Sequence, residues 1–189
     1  MERPNFTEED KTEKKEKPSV MYHASHNHNI TEFVPRQERV RDPEEGPVIF
    51  ATPDKALASA FLIEGHNDDW TNIGFYNDIP VAIICSSREE FIEKDKGGIL
   101  YSLPSDTFDF DAHRGMGERE WSSHVSVKPV DKIECLSTLD TMIENGVQIY
   151  FVDKQTFENI NHADDHGFQI LLGLKSENAH RGINVKSLG

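Results

Sequence analysis

Short apolar runs separated by polar turns dominate the chain, and most are too brief to be helices. Val20-Met21-Tyr22, Pro47 to Phe50, Pro80 to Cys85, Ile99-Leu100-Tyr101, Ile133 to Leu136 and Val147 to Val152 are rich in β-branched and aromatic residues, the composition of strands. Pro80 to Cys85 is almost continuously apolar, which predicts a strand buried on both faces. Phe108 and Phe110 alternate with acids between Asp106 and Asp111, the pattern of a half-exposed edge strand. Glu120 to Val127 also reads as extended.

Helix signals are fewer. Thr52-Pro53-Asp54 predicts a helix start with Thr52 as N-cap and Pro53 in the first helical position, continuing from Lys55 to Leu62. Helical spacing puts Ala56, Ala60 and Ile63 on one side, and such small residues allow close approach to a sheet. Ser86 or Ser87 caps a short helix through Arg88 to Glu93, and Ser137-Thr138 caps another from Leu139 to Glu144 that Asn145-Gly146 ends. Lys154 to Ile160 predicts a last short helix, while Glu64 to Asn72 reads as a loop. Strands outnumber the long helices that parallel crossovers need, so the expected class is α+β and not doubly wound.

A length of 189 residues suits one domain with a sizeable core. Residues 1–17 mix acids and lysines with almost nothing apolar to bury, and read as a charged, disordered arm. The domain proper is expected over residues 18–160. Residues 161–189 form a C-terminal extension of weak periodicity, able to dock on the domain or on a partner.

Charge narrows the function. The formal net charge of −14 repels phosphate backbones, which disfavours nucleic acid as the main partner. No apolar run is long enough to cross a bilayer, and the charged first residues lack the apolar stretch of a secretory signal, so a cytoplasmic location is expected. Cys85 and Cys135 sit within apolar runs and read as buried, reduced thiols.

Several polar residues could carry chemistry. His23 ends the first strand, where an imidazole can both donate to and accept from a sugar hydroxyl. His26 and His28 follow, and His162 and His166 stand four apart, but zinc ligation is the lesser reading because side chains on a strand or turn diverge. Glu118 and Glu120 bracket Arg119. In an extended segment the two carboxylates share a face, where one can steady positive charge at a breaking glycosidic bond while the other positions an acceptor. A solvated cluster of acids is the plain alternative. Arg36, Arg39 and Arg41 form a basic patch whose guanidinium groups match a diphosphate, or pair with Glu38, Asp42, Glu44 and Glu45 beside them.

Taken in order, Tyr22-His23-Ala24-Ser25, Phe50-Ala51-Thr52 with its Ala-rich helix, and Glu118-Arg119-Glu120-Trp121 resemble the ADP-ribosyltransferase superfamily, over roughly residues 19–152. The histidine-type branch has a strand ending His-Gly-Ser or His-Gly-Thr, then a Phe-Ala strand end whose helix supplies a tyrosine, then a glutamate opening a late strand. The resemblance implies a split antiparallel or mixed sheet with short flanking helices and NAD as substrate. It implies His23 on the adenosine ribose, the Ala24 backbone on the nicotinamide amide, an aromatic on the nicotinamide ring and Glu120 on the nicotinamide ribose. Glu118 is similar to the paired acid of arginine-directed members.

Ala24 stands where the family has glycine, and Phe61 is the candidate for the missing tyrosine. The expected NAD-contacting set is thus His23, Ala24, Ser25, Arg36, Thr52 and Phe61, with Glu120 and Glu118 catalytic, no metal, and an acceptor that is unknown and could be a protein. A catalytically silent interaction module of the same fold is the non-enzymatic alternative. An RNA 2′-phosphotransferase relative is a third, opposed by the acidic charge.

Overall fold

The structure is a computed structural model that describes residues 17–37, 46–65, 69–110, 119–165 and 167–178, without the side chains of 175–178. The readings made on residues 1–16, Arg39, Arg41, Glu118, His166 and the last residues of the chain lie outside the described residues.

The described residues form an α+β fold of three small sheets and five helices. The first sheet is antiparallel, with β5 (Gly98–Pro104) between β1 (Val20–Ser25) and β8 (Asp131–Cys135). In the second, β7 (Trp121–Ser123) lies between β2 (Ile49–Ala51) and β6 (Asp109–Phe110). The third has β4 (Ile79–Ile84) between antiparallel β3 (Thr71–Tyr76) and parallel β9 (Gln148–Phe151), so the arrangement is mixed. One two-way pairing joins the first two sheets: the Tyr22 amide donates to the Thr52 carbonyl at 2.7 Å, and the Thr52 amide to the Tyr22 carbonyl at 3.0 Å.

β4 is buried over almost its whole length, as its continuous apolar run predicts. Helices cover both faces of its sheet. Ala82, Ile84 and Ile149 pack against Phe91 of α2 (Arg88–Lys94), Leu139 and Met142 of α3 (Thr138–Asn145), and Ala60 of α1 (Lys55–Ala60). Val81, Ile83 and Tyr150 pack on the other side against Phe157 and Ile160 of α4 (Lys154–His162) and Leu171 of α5 (Phe168–Asn178).

α1 is central. Ala56 and Ala60 face the third sheet, while Ala58, with Leu62 just beyond the helix, packs against Leu100 and Cys135 of the first. Its small side chains allow this double contact, and larger ones would overpack it.

Local signals placed several ends correctly. Ser87 and Glu90 form a complete capping box on α2, and Ser137 caps α3. Gly146, at φ 89°, closes α3: its amide donates to the Ile143 carbonyl and that of Val147 to the Met142 carbonyl.

Four expectations need correction. The N-cap of α1 is Asp54, whose carboxylate accepts from the Ala56 and Leu57 amides; Thr52 has its backbone committed to Tyr22, so the helix starts later. α1 also ends at Ala60 and tightens into short-range turns through Ile63. The segment read as a loop up to Asn72 already enters β3 at Thr71, and β3 joins β4 through Asn77 and Asp78, at φ 47° and 63°, values that suit a tight hairpin. Finally, Cys85 is only half-buried, whereas Cys135 is buried; both thiols are free.

The C-terminal extension begins with a docked helix. Leu171 is buried in the third-sheet core, with Ile170 and Leu174 beside it, and Phe168 stacks on Tyr76 at 5.6 Å between ring centroids.

Candidate functional site

The three sequence segments singled out for chemistry come to neighbouring strands. His23 and Ser25 share a face of β1 with Met21, whose neighbours include Ile49, Ala51 and Trp121. The His23 ring packs edge-on against Phe33 at 4.7 Å and donates from Nδ1 to the Phe50 carbonyl at 2.6 Å. That bond places the proton on Nδ1 and makes Nε2 the acceptor nitrogen of the neutral ring. It also spans the place where β1 and β2 part, since their backbones pair only at Tyr22 and Thr52 among the described residues.

Ala24 lies on the other face with Tyr22, half-buried against the cluster formed by Ala58, Leu62, Leu100 and Cys135. A methyl group is therefore accommodated where the resembled family has glycine. Thr52 is buried, and its hydroxyl accepts from the Asp54 amide at 3.1 Å. The Ser25 hydroxyl accepts from the Asn27 amide at 3.1 Å and orders the turn after β1. Phe61 caps the C-terminal end of α1 and is half-buried. Arg36 is exposed, and its backbone pairs with Val48.

Glu120 is half-buried and directly precedes β7. β2 pairs with β7 with Ala51 opposite Trp121, so one further step of the same register sets Glu120 opposite Thr52. Thr52 is itself paired with Tyr22. A line from β1 through the 49–52 strand to residue 120 thus crosses two strand spacings, about 10 Å. Tyr22 and Thr52 share a face, and His23 takes the other. The fold brings these segments to adjacent strands but not to one flat face.

Arg119, beside Glu120, turns toward the β3–β4 hairpin. Its guanidinium contacts Asp78 Oδ1 at 2.6 Å, donates to the Asp78 carbonyl at 3.3 Å and lies 3.7 Å over the Phe75 ring.

A separate cleft of about 740 Å³ lies beyond the end of β1, among the loop after α1, the start of β3, α2 and the beginning of α3. None of the residues named above as NAD contacts lines it. Leu62, Trp70, Cys85 and Phe91 give it apolar walls, and His26, Glu64, Glu93 and Asp95 are among its polar lining.

Asp95 has a structural task there. Its carboxylate accepts from the Gly97, Thr138 and Leu139 amides and from the Ser137 hydroxyl, which satisfies much of the α3 N-terminus. Burial pushes its pKa up, but these hydrogen bonds together outweigh burial and hold it below the ordinary value. Sequence spacing missed the cleft because its lining comes from five separated segments; Trp70 within an otherwise polar stretch was the one available signal.

The described histidines named from the sequence as possible ligands point to separate partners. His26 donates from Nδ1 to the Gly97 carbonyl, His28 lies 3.7 Å from Glu134, and His162 donates to the Glu158 carbonyl of its own helix. Among the described residues no group of three or more His, Cys, Asp or Glu is gathered to hold an ion. No described helix is long and apolar enough to cross a membrane.

No family model matches the chain, and no curated protein or solved structure shows significant similarity to it.

Proposed function

We propose that this is an NAD-dependent ADP-ribosyltransferase-like protein on a split-sheet fold, breaking the nicotinamide–ribose bond and passing ADP-ribose to an acceptor that could be a protein. One observation carries the reading: Thr52 is paired with Tyr22, the neighbour of His23, and sits one register step beyond the pair of Ala51 with Trp121, the neighbour of Glu120. Three segments far apart in the chain thereby come to neighbouring strands where, among the described residues, one backbone pairing joins two sheets. His23 and residue 120 take opposite faces of these strands, so a dinucleotide that contacts both has to pass around the place where β1 and β2 part.

In this reading His23 contacts the adenosine ribose, with Nδ1 already tied to Phe50 and the ring orientation thereby set. The Glu120 carboxylate accepts from a hydroxyl of the nicotinamide ribose and stabilises the positive charge that develops there as nicotinamide departs. The acceptor nucleophile then attacks the same carbon from the opposite side. Phe61 supplies the aromatic contact and Ser25, Thr52 and Arg36 complete the set, while Glu118 acts on the acceptor.

A second reading, a catalytically silent interaction module, is favoured by the same histidine. Its ring packs on Phe33, a member of an apolar core cluster, and its Nδ1 proton is already used; a structural histidine has those properties too.

Calorimetry with NAD decides between them. Heat that fits a dissociation constant of about 100 μM or tighter, and that disappears in His23→Ala while the unfolding transition stays cooperative, supports the enzyme. No heat at concentrations that would detect such binding rejects it in favour of the module.

A further inference from the structure

We propose that the 740 Å³ cleft beside α2 is a binding site for an organic cation with a flat or apolar body. This stands apart from the NAD reading, since no residue of that set lines the cleft.

The cleft has the size of a small-molecule site. Its apolar wall contains two rings, Trp70 and Phe91, with centroids 6.4 Å apart and planes tilted by 46°. Leu62 and Cys85 extend the wall. Trp70 remains half-exposed while Phe91 is buried beneath it, so the indole is the surface a ligand meets. Of the aromatic side chains, indole attracts a cation most strongly.

Charge fixes the sign of the occupant. The lining carries the carboxylates of Glu64, Glu90, Glu93 and Asp95 against the ammonium groups of Lys94 and Lys96. Lys96 is already 2.9 Å from Glu64. The amides at the start of α3, which could otherwise draw an anion, donate to Asp95 and Ser137. Backbone and hydroxyl hydrogen bonds from Ser87 and Ser86 also hold the Glu90 pKa down, so its charge persists in mildly acidic solution. The excess of negative charge repels an anion entering here and attracts a cation.

Benzamidine, benzamide and benzoate share one ring and differ in charge, which makes them the test. Trp70 lines the cleft and Trp121 is buried in another core cluster, so the indole N–H resonances of the two, followed by NMR on the full chain, read occupancy against an internal reference. At about 10 mM probe, benzamidine should shift the Trp70 resonance along a saturating curve, benzamide less and benzoate not at all, with Trp121 unaffected. Equal shifts with all three, the largest shift with benzoate, or none with any of them overturns the proposal.

Discussion

Arg119 and Asp78 join the strand that follows the candidate catalytic acid to a hairpin of another sheet. The contact is short, 2.6 Å, but the Asp78 side chain is 93% exposed while that of Arg119 is 25% exposed. An ion pair so open to water contributes about 0–1 kcal/mol, and the guanidinium over Phe75 adds about 0.5–1 kcal/mol. The pair therefore matters more for where residue 120 sits than for global stability.

Arg119→Ala should lower unfolding stability by only about 1 kcal/mol in a urea titration. Hydrogen exchange should accelerate in residues 119–123 far more than in β5. Uniform acceleration throughout the first two sheets would contradict this local role.

Asp95→Asn should be more damaging than its half-buried position suggests, because the amide accepts with one oxygen where the carboxylate uses two. A loss of about 1–3 kcal/mol at neutral pH is expected. The carboxyl pKa is lower in the folded protein than its ordinary value of 3.8. Its stabilisation is therefore complete above the unfolded-state value and lost as pH falls through the folded one. The gap between wild type and variant, followed by thermal unfolding, should narrow below about pH 4; a gap that widens there would be the wrong sign.

Gly97→Ala should unfold the domain or nearly so. Gly97 has φ 63°, and an added Cβ would lie 1.9 Å from the Cys135 carbonyl oxygen, a backbone atom that cannot rotate away. A cost on the order of 4 kcal/mol or more is expected, visible as a lost or strongly lowered thermal transition. A shift of only a degree or two would show that β5 and β8 can separate at little cost.

How much was legible in the sequence depended on how local each signal was. The capping box at Ser87, the cap at Ser137 and the stop at Gly146 are contained within a few residues, and the apolar run of β4 needs no partner to be recognised. β3 is different. Asn72 and Gly74 weaken its pattern, every position is half-buried, and its strand character comes from pairing with β4. Thr52 is a good N-cap by type, yet a pairing with Tyr22, thirty positions away in the chain, claims its backbone first. Of the candidate site, the resemblance leads to the expectation that His23 and Glu120 line one hollow, and the alternation of side chains that sets them on opposite faces depends on pairings between distant strands. The cleft around Trp70 has no linear signature beyond that single aromatic residue in a polar stretch.

Leu171→Ala should destabilise the whole domain, since its side chain is 3% exposed against Ile160 and the third sheet. A loss of about 2–4 kcal/mol in a single cooperative transition is expected. An unchanged main transition, with loss of helix signal alone, would mean that α5 is an independent appendage.

The most direct test of the functional account is NAD consumption by purified protein compared with Glu120→Gln, a substitution that keeps size and removes charge. Wild type should release nicotinamide and the variant should be slower by roughly 100-fold, with unfolding curves that superimpose. Equal rates in the two proteins, or no NAD consumption by wild type, would contradict it.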